Sequence, residues 1–222
     1  MNDSSTICSP RLVDLVVADT FDPPVTQAGF AKISARKYVR KRFIGTRDVI
    51  ELRSDRGSLI LIWGFSFDFV PHIAGRFTET VRWHRTDKST NPDLRYSGLG
   101  KLCSGPREQG AAIQLWRGES QLRQEAQLSK DRLLPKAFAK LDSVRNLHDV
   151  RDLFESEARE TYFFNFPQIV LAYAFYLAKT GNEVGARHYM SEWLKRSNHR
   201  EETQKTLARL FEEAAASPFT VQ

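Results

Sequence analysis

The chain has 222 residues, 41% of them hydrophobic and 27% charged, with 9 Pro, 12 Gly and a formal net charge of +6. This composition excludes a collagen-like or wholly disordered chain, and the length suffices for one large domain or two small ones. Cys8 and Cys103 are the only cysteines, which excludes a disulfide-stapled miniprotein and fits a reducing compartment.

The apolar run Leu59 to Phe65 is far shorter than the roughly 20 residues a membrane helix needs. The N-terminus carries no basic segment and Asp14 interrupts Leu12 to Ala18, so no signal peptide is expected. The expectation is a cytoplasmic protein without a membrane partner.

Taken in chain order, residues 10–20 read as a first helix. Leu12, Leu15, Val16 and Asp19 follow helical spacing, Ser9 stands at the N-cap position and Pro10 at the first helical position. Pro23-Pro24 is expected to end it, and Gly29-Phe30 to turn the chain into a sheet. Strand signals then follow at Arg36 to Ile44, Arg47 to Arg53, Ser58 to Val70, Thr80 to Thr86 and Ala112 to Arg117. Gly45-Thr46 and Asp55-Arg56-Gly57 are connections short enough for hairpins, so the sheet is expected to be antiparallel.

In the third of these strands, Trp63, Phe65, Phe67 and Phe69 share one face while Gly64, Ser66 and Asp68 share the other. The aromatic face needs a large covering surface. The small, polar face reads as open to solvent or as the floor of a shallow pocket, and Pro71 as the end of the pairing. Residues 89–110, rich in Gly, Pro, Ser and Asn, read as one long loop.

The second half is helical in pattern, with helices expected at 121–130, 136–140, 147–160, 168–179, 184–195 and 200–215. The pair joined at Thr180-Gly181-Asn182, an αα-hairpin over 168–197, is similar to one tetratricopeptide unit. A single copy does not make a solenoid, so it is taken as an ordinary hairpin. The fold expected is therefore α+β: an antiparallel sheet of about five strands with an N-terminal helix over residues 1–118, then a helical region over 119–222 that covers the sheet or stands alone.

The charge is concentrated. Residues 32–56 hold nine basic side chains, among them Arg36, Lys37, Arg40, Lys41, Arg42 and Arg47, against Asp48, Glu51 and Asp55. Attraction for an anion therefore belongs to the first half. With Tyr38, Trp63 and Trp83 nearby, this segment reads as a partner surface: for an acidic protein, or for single-stranded nucleic acid if the aromatics are exposed for stacking. Strand patterning favours their burial, and no RNP-type motif is present.

Asp68, His72, His84 and Asp87 are the best metal-ligating or acid–base set, since imidazole and carboxylate suit Zn or Mn and the four fall at strand ends. Their spacing matches no stringent ligand motif. Gly98-Leu99-Gly100-Lys101 is not a phosphate loop, because Arg95 replaces the first Gly and Leu102 follows the Lys. The two cysteines form no CxxC and the serines lack a nucleophile elbow. No catalytic residue is assigned and no cofactor is expected.

Gly29-Phe30, Arg36-Lys37-Tyr38-Val39-Arg40, Asp48-Val49-Ile50-Glu51-Leu52 and Ile60 to Pro71 carry one similarity. Over residues 8–118 the chain resembles a bacterial family of uncharacterised α+β domains, which have a leading helix, a GF turn and an antiparallel sheet. The resemblance implies a small module, some members lying near toxin or defence genes, and carries over no catalytic residues. The functional expectation is a non-enzymatic protein-interaction module, immunity-like or an accessory to defence. The alternatives are a nucleic-acid-binding protein using residues 36–42 and a metal-dependent hydrolase built on Asp68, His72, His84 and Asp87.

Overall fold

The computed structural model describes residues 7–75, 78–83, 90–99, 110–159 and 166–219. The architecture is α+β, with an N-terminal helix, an antiparallel sheet and mostly C-terminal helices.

Helix α1, Pro10–Gln27, begins as its sequence dictates. Ser9 Oγ accepts the Leu12 N–H at 3.2 Å, and Pro10 occupies a position whose N–H has no helical partner anyway. The helix does not stop at Pro23-Pro24. Val13, Val16, Val17, Phe21 and Val25 form one buried stripe that crosses the prolines, and this packing outweighs the two hydrogen bonds they remove. The Thr26 hydroxyl donates to the Asp22 carbonyl at 2.6 Å, holding that last turn. Termination comes at Gly29, whose φ of +85° suits glycine. Phe30 N–H donates to Val25 O and Gly29 N–H to Thr26 O, the crossed pair of a Schellman cap.

The strand expected over Arg36 to Ile44 is present but shorter, and it is the second strand of a tight hairpin whose first strand lies before it. Strand β1, Ala31–Ser34, pairs antiparallel with β2, Lys37–Lys41, and Arg36 sits in the turn. Strand β3, Thr46–Asp55, pairs with β2, placing Arg40 opposite Asp48 and Lys37 opposite Glu51. Strand β4, Ser58–Phe67, follows a two-residue turn. The main sheet runs β1-β2-β3-β4-β7, with β7 at Leu94–Ser97, and β8 at Ile113–Gln114 pairs with the start of β4. The 89–110 segment is thus not a single loop, since it contributes an edge strand.

Strand β4 is buried on both faces. Ser66 is fully covered, so the small, polar face is neither open to solvent nor an exposed floor. Pairing in β4 ends at Phe67 rather than at Pro71. Pro71 instead opens β5, Pro71–Ala74, a position where its missing N–H is tolerated. Strand β5 pairs with β6, Thr80–Trp83, in a separate two-stranded sheet.

Helix α2, Gly118–Asp142, replaces the two short helices expected at 121–130 and 136–140. Pro135 is exposed within it, while Leu133, Leu134, Ala137 and Leu141 are buried on either side and carry the helix through. Helices α3, Leu147–Ala158, α4, Pro167–Lys179, α5, Glu183–Arg196, and α6, Glu201–Ala215, follow close to expectation. No helix among the described residues is long and apolar enough to cross a membrane.

The chain forms two compact units. One comprises Met1–Arg42, Arg47–Phe65 and Arg95–Ser143, here the sheet unit; the other comprises Phe43–Thr46, Ser66–Leu94 and Val144–Gln222, the helical unit. In the helical unit, Val170 to Ala178 of α4 are all buried, the mark of a central helix. Phe175 meets Trp83 and Phe211 edge-on, and Phe154 stacks on Tyr173 at 4.9 Å between centroids. The α4–α5 hairpin closes through Asn182, whose side chain accepts the Gly185 N–H at 3.0 Å.

Candidate functional site

Arginines at two places in the sheet unit are used differently. In the basic segment, strand periodicity turns Tyr38 and Arg40 to one side of β2, and Arg36 precedes them in the turn. Arg36 donates to Asp14 at 2.5 Å and to the Ser54 hydroxyl at 3.0 Å. Tyr38 donates its hydroxyl to Asp22 at 2.6 Å, and burial followed by that carboxylate pushes the phenol far above its ordinary range. Arg40 donates to Asp48 at 2.8 Å, to Asp142 at 2.6 Å and to the Ala28 carbonyl, with its guanidinium over the Phe30 ring.

Asp48 has no exposed surface. Burial raises its pKa, against the lowering effect of Arg40 and Arg42, so desolvation outweighs the pairing at this site. Arg42 lies 3.5 Å from the same carboxylate. On the other side of β2, Lys37 pairs with Glu51 at 3.8 Å and burial lowers its pKa. Arg47 is buried, whereas Lys41 is exposed at the end of β2. Most of the basic segment is therefore matched with carboxylates of the same unit. Tyr38 and Trp63 are buried, so neither presents a ring face for stacking.

Of the expected metal-ligating set, His84 and Asp87 lie outside the described residues. Asp68 sits in the turn after β4, its N–H donating to the Gly45 carbonyl at 2.7 Å. His72 is buried on β5, opposite Arg82 rather than at the end of a central strand. Among the described residues, no group of three or more His, Cys, Asp or Glu side chains is placed to hold a metal ion.

The second set of arginines lies where β3 turns into β4. Arg56 and Gly57 both have positive φ, +43° and +81°, the sign pattern of a type I′ hairpin turn. The Gly57 carbonyl accepts from Leu115 N–H at 3.0 Å, and the Leu115 carbonyl accepts from Cys8 N–H at 2.7 Å. These two bonds bring Ile7-Cys8, Leu115-Trp116 and Arg56-Gly57 side by side. A Cβ at Gly57 would come within 3.2 Å of the Trp116 ring, so the indole lies against the turn. Trp116 is 41% exposed and Ile7 75% exposed. Arg117 follows directly and begins α2 with no side-chain cap on the helix amides.

The sequence pattern marked Asp55-Arg56-Gly57 only as a turn and placed Trp116 in a strand. What brings them together is the two-bond bridge from Gly57 through Leu115 to Cys8, which has no local signature. Unlike Arg40, Arg56 has no ion pair among the described residues. No protein-family model, curated protein or solved structure matches this chain.

Proposed function

We propose that the chain is a protein-interaction module, immunity-like or accessory in role, whose contact surface belongs to the sheet unit. The observation that carries this reading is the contrast in exposure within that unit. Most of the basic segment is matched internally, while Ile7, Leu15 and Trp116 stand exposed, and Trp is among the side chains that most often anchor protein interfaces. A phosphate backbone recruited to residues 36–42 would have to displace Asp14, Asp48 and Glu51 from their cations. That weighs against the nucleic-acid alternative, which predicts binding that falls steeply with salt.

The test is an affinity pull-down from native lysate with and without nuclease, read by mass spectrometry and repeated in reverse from the captured protein. A stoichiometric protein that persists after nuclease and captures this chain in return supports the module. Partners that vanish with nuclease, and are lost when Arg36, Lys37, Arg40, Lys41 and Arg42 are reversed in charge, move the assignment to nucleic acid.

A further inference from the structure

The interaction reading leaves open which surface docks and what chemistry it selects. We infer that the end of the sheet unit formed by Ile7, Arg56, Gly57, Trp116 and Arg117 docks a carboxylate-rich segment of a partner protein that also presents an apolar side chain. The inference rests on the interaction-module reading and deepens it.

Positive charge gathers at this end of the unit. This end of the unit carries Arg56 on the turn, Arg117 beside the indole and Arg11 at the start of α1, one turn from Cys8. At the turn itself stands Asp55. Of the acids in the first turns of α2, Glu119 is bonded to Arg123 at 2.9 Å, and Glu125 accepts from Gln121 and from the Gln114 N–H and lies 4.0 Å from Arg117, whose side chain stays more than half exposed. Two helix N-termini, those of α1 and α2, also meet here through the Cys8–Leu115 bond. Their amides add partial positive charge, and those of α2 lack a side-chain cap. Arginines and helix amides together attract an anionic group, and a carboxylate is the anion a protein segment supplies.

Apolar side chains are exposed in the same place. An indole against a glycine turn is rigidly placed, and Trp with Arg is the composition of interface hot spots. The neighbouring Ile7 is aliphatic and offers no flat face to a base, and the Gly57 turn already covers part of the indole ring. A protein segment therefore fits better than a nucleic acid.

Residue 56 is itself unusual: the first position of a type I′ turn requires positive φ, where Asn, Asp or Gly is at ease and Arg is strained. Strained residues of this kind cluster at functional sites.

The test uses the full chain against a phage-displayed library of random dodecapeptides, with a 20-nucleotide single-stranded DNA as competitor. Enriched peptides should combine Asp or Glu with an aliphatic or aromatic residue. Trp116→Ala should weaken such a peptide by about thirtyfold in fluorescence anisotropy. Arg56→Asn should weaken it by about fivefold while raising the denaturation midpoint, because Asn relieves the turn. This opposition separates docking from folding.

Acidic peptides whose binding is insensitive to both variants would overturn the inference and leave the module reading standing. Enrichment without acidic bias would do the same. Displacement by the DNA, with the oligonucleotide's own binding lost in Trp116→Ala, would overturn both in favour of nucleic acid. A library that yields no peptide at all, beside a failed reciprocal pull-down, would also remove both.

Discussion

In the sheet unit, strand β2 and the turn before it fasten to their neighbours through charged and polar bonds: Arg36 to Asp14 of α1, Tyr38 to Asp22 of α1, Arg40 to Asp48 of β3 and Asp142 of α2. In the helical unit, the corresponding work falls to aromatic rings around α4, with Phe175 between Trp83 and Phe211 and Phe154 against Phe67, Tyr173 and Tyr176. The difference follows from composition. Residues 32–56 hold nine cations, and such side chains enter a unit only with partners. Residues 170–178 contain no charged residue at all, and the helix they form is covered on every side. Similar compactness is thus reached by directional bonds in one unit and by non-directional packing in the other.

The sharpest way to break this contrast is at the rings. Phe175→Ala should destabilise the protein by about 3–5 kcal/mol, since it removes a fully buried ring and leaves a cavity between two aromatic neighbours. Urea denaturation followed by circular dichroism measures it. A loss below about 1 kcal/mol would mean that α4 is not the centre of its unit.

Next in size is the charged counterpart. Asp48→Ala should cost about 3 kcal/mol, because it strips Arg40 and Arg42 of a shared, fully buried carboxylate. The isosteric Asp48→Asn keeps a hydrogen-bond acceptor and should recover part of that loss. Asp48 has a raised pKa in the folded state, so its ionisation opposes folding as pH rises from the unfolded carboxylate range through the folded value. Equal stability of Asp48→Ala and the natural chain would show that Asp142 and the Ala28 carbonyl alone satisfy Arg40.

What was legible in the sequence divides along the same line between local and distant causes. The Ser9-Pro10 start of α1, the Gly29-Phe30 turn and the Asp55-Arg56-Gly57 hairpin depend on neighbours within a few residues, and each forms where its residues indicate. Pro23-Pro24 and Pro135 do not act as the local rule predicts, because buried stripes on both sides hold the helices continuous. The partners of the basic segment were equally hidden. Arg40 and Asp142 are 102 residues apart, and no spacing rule links them. The charge run was visible as charge, whereas its internal neutralisation required the fold. The docking surface inferred at Trp116 depends on a bridge among residues 8, 57 and 115, and was legible only as an isolated turn.

The smallest expected effect is in the helical unit, where one carboxylate behaves in the opposite sense to Asp48. Glu79 accepts from His199 Nδ1 at 2.9 Å and from the Arg200 N–H at 3.1 Å, at the start of α6. The hydrogen bonds from His199 and then Thr203 pull its pKa down to about 2, because here bonding outweighs desolvation. A carboxylate depressed in the folded state stabilises above its unfolded pKa, about 4.3, and loses that contribution as pH falls toward 2. Glu79→Gln should therefore unfold at a lower denaturant concentration than the natural chain at pH 7, and the two midpoints should converge between pH 4.5 and pH 2. His199 is stacked on the buried Trp193, so indole fluorescence reports the same site as the titration. A difference that stays constant through the acid range would mean that the Glu79 carboxylate contributes by shape rather than by charge, and the contrast with Asp48 would lose its electrostatic half.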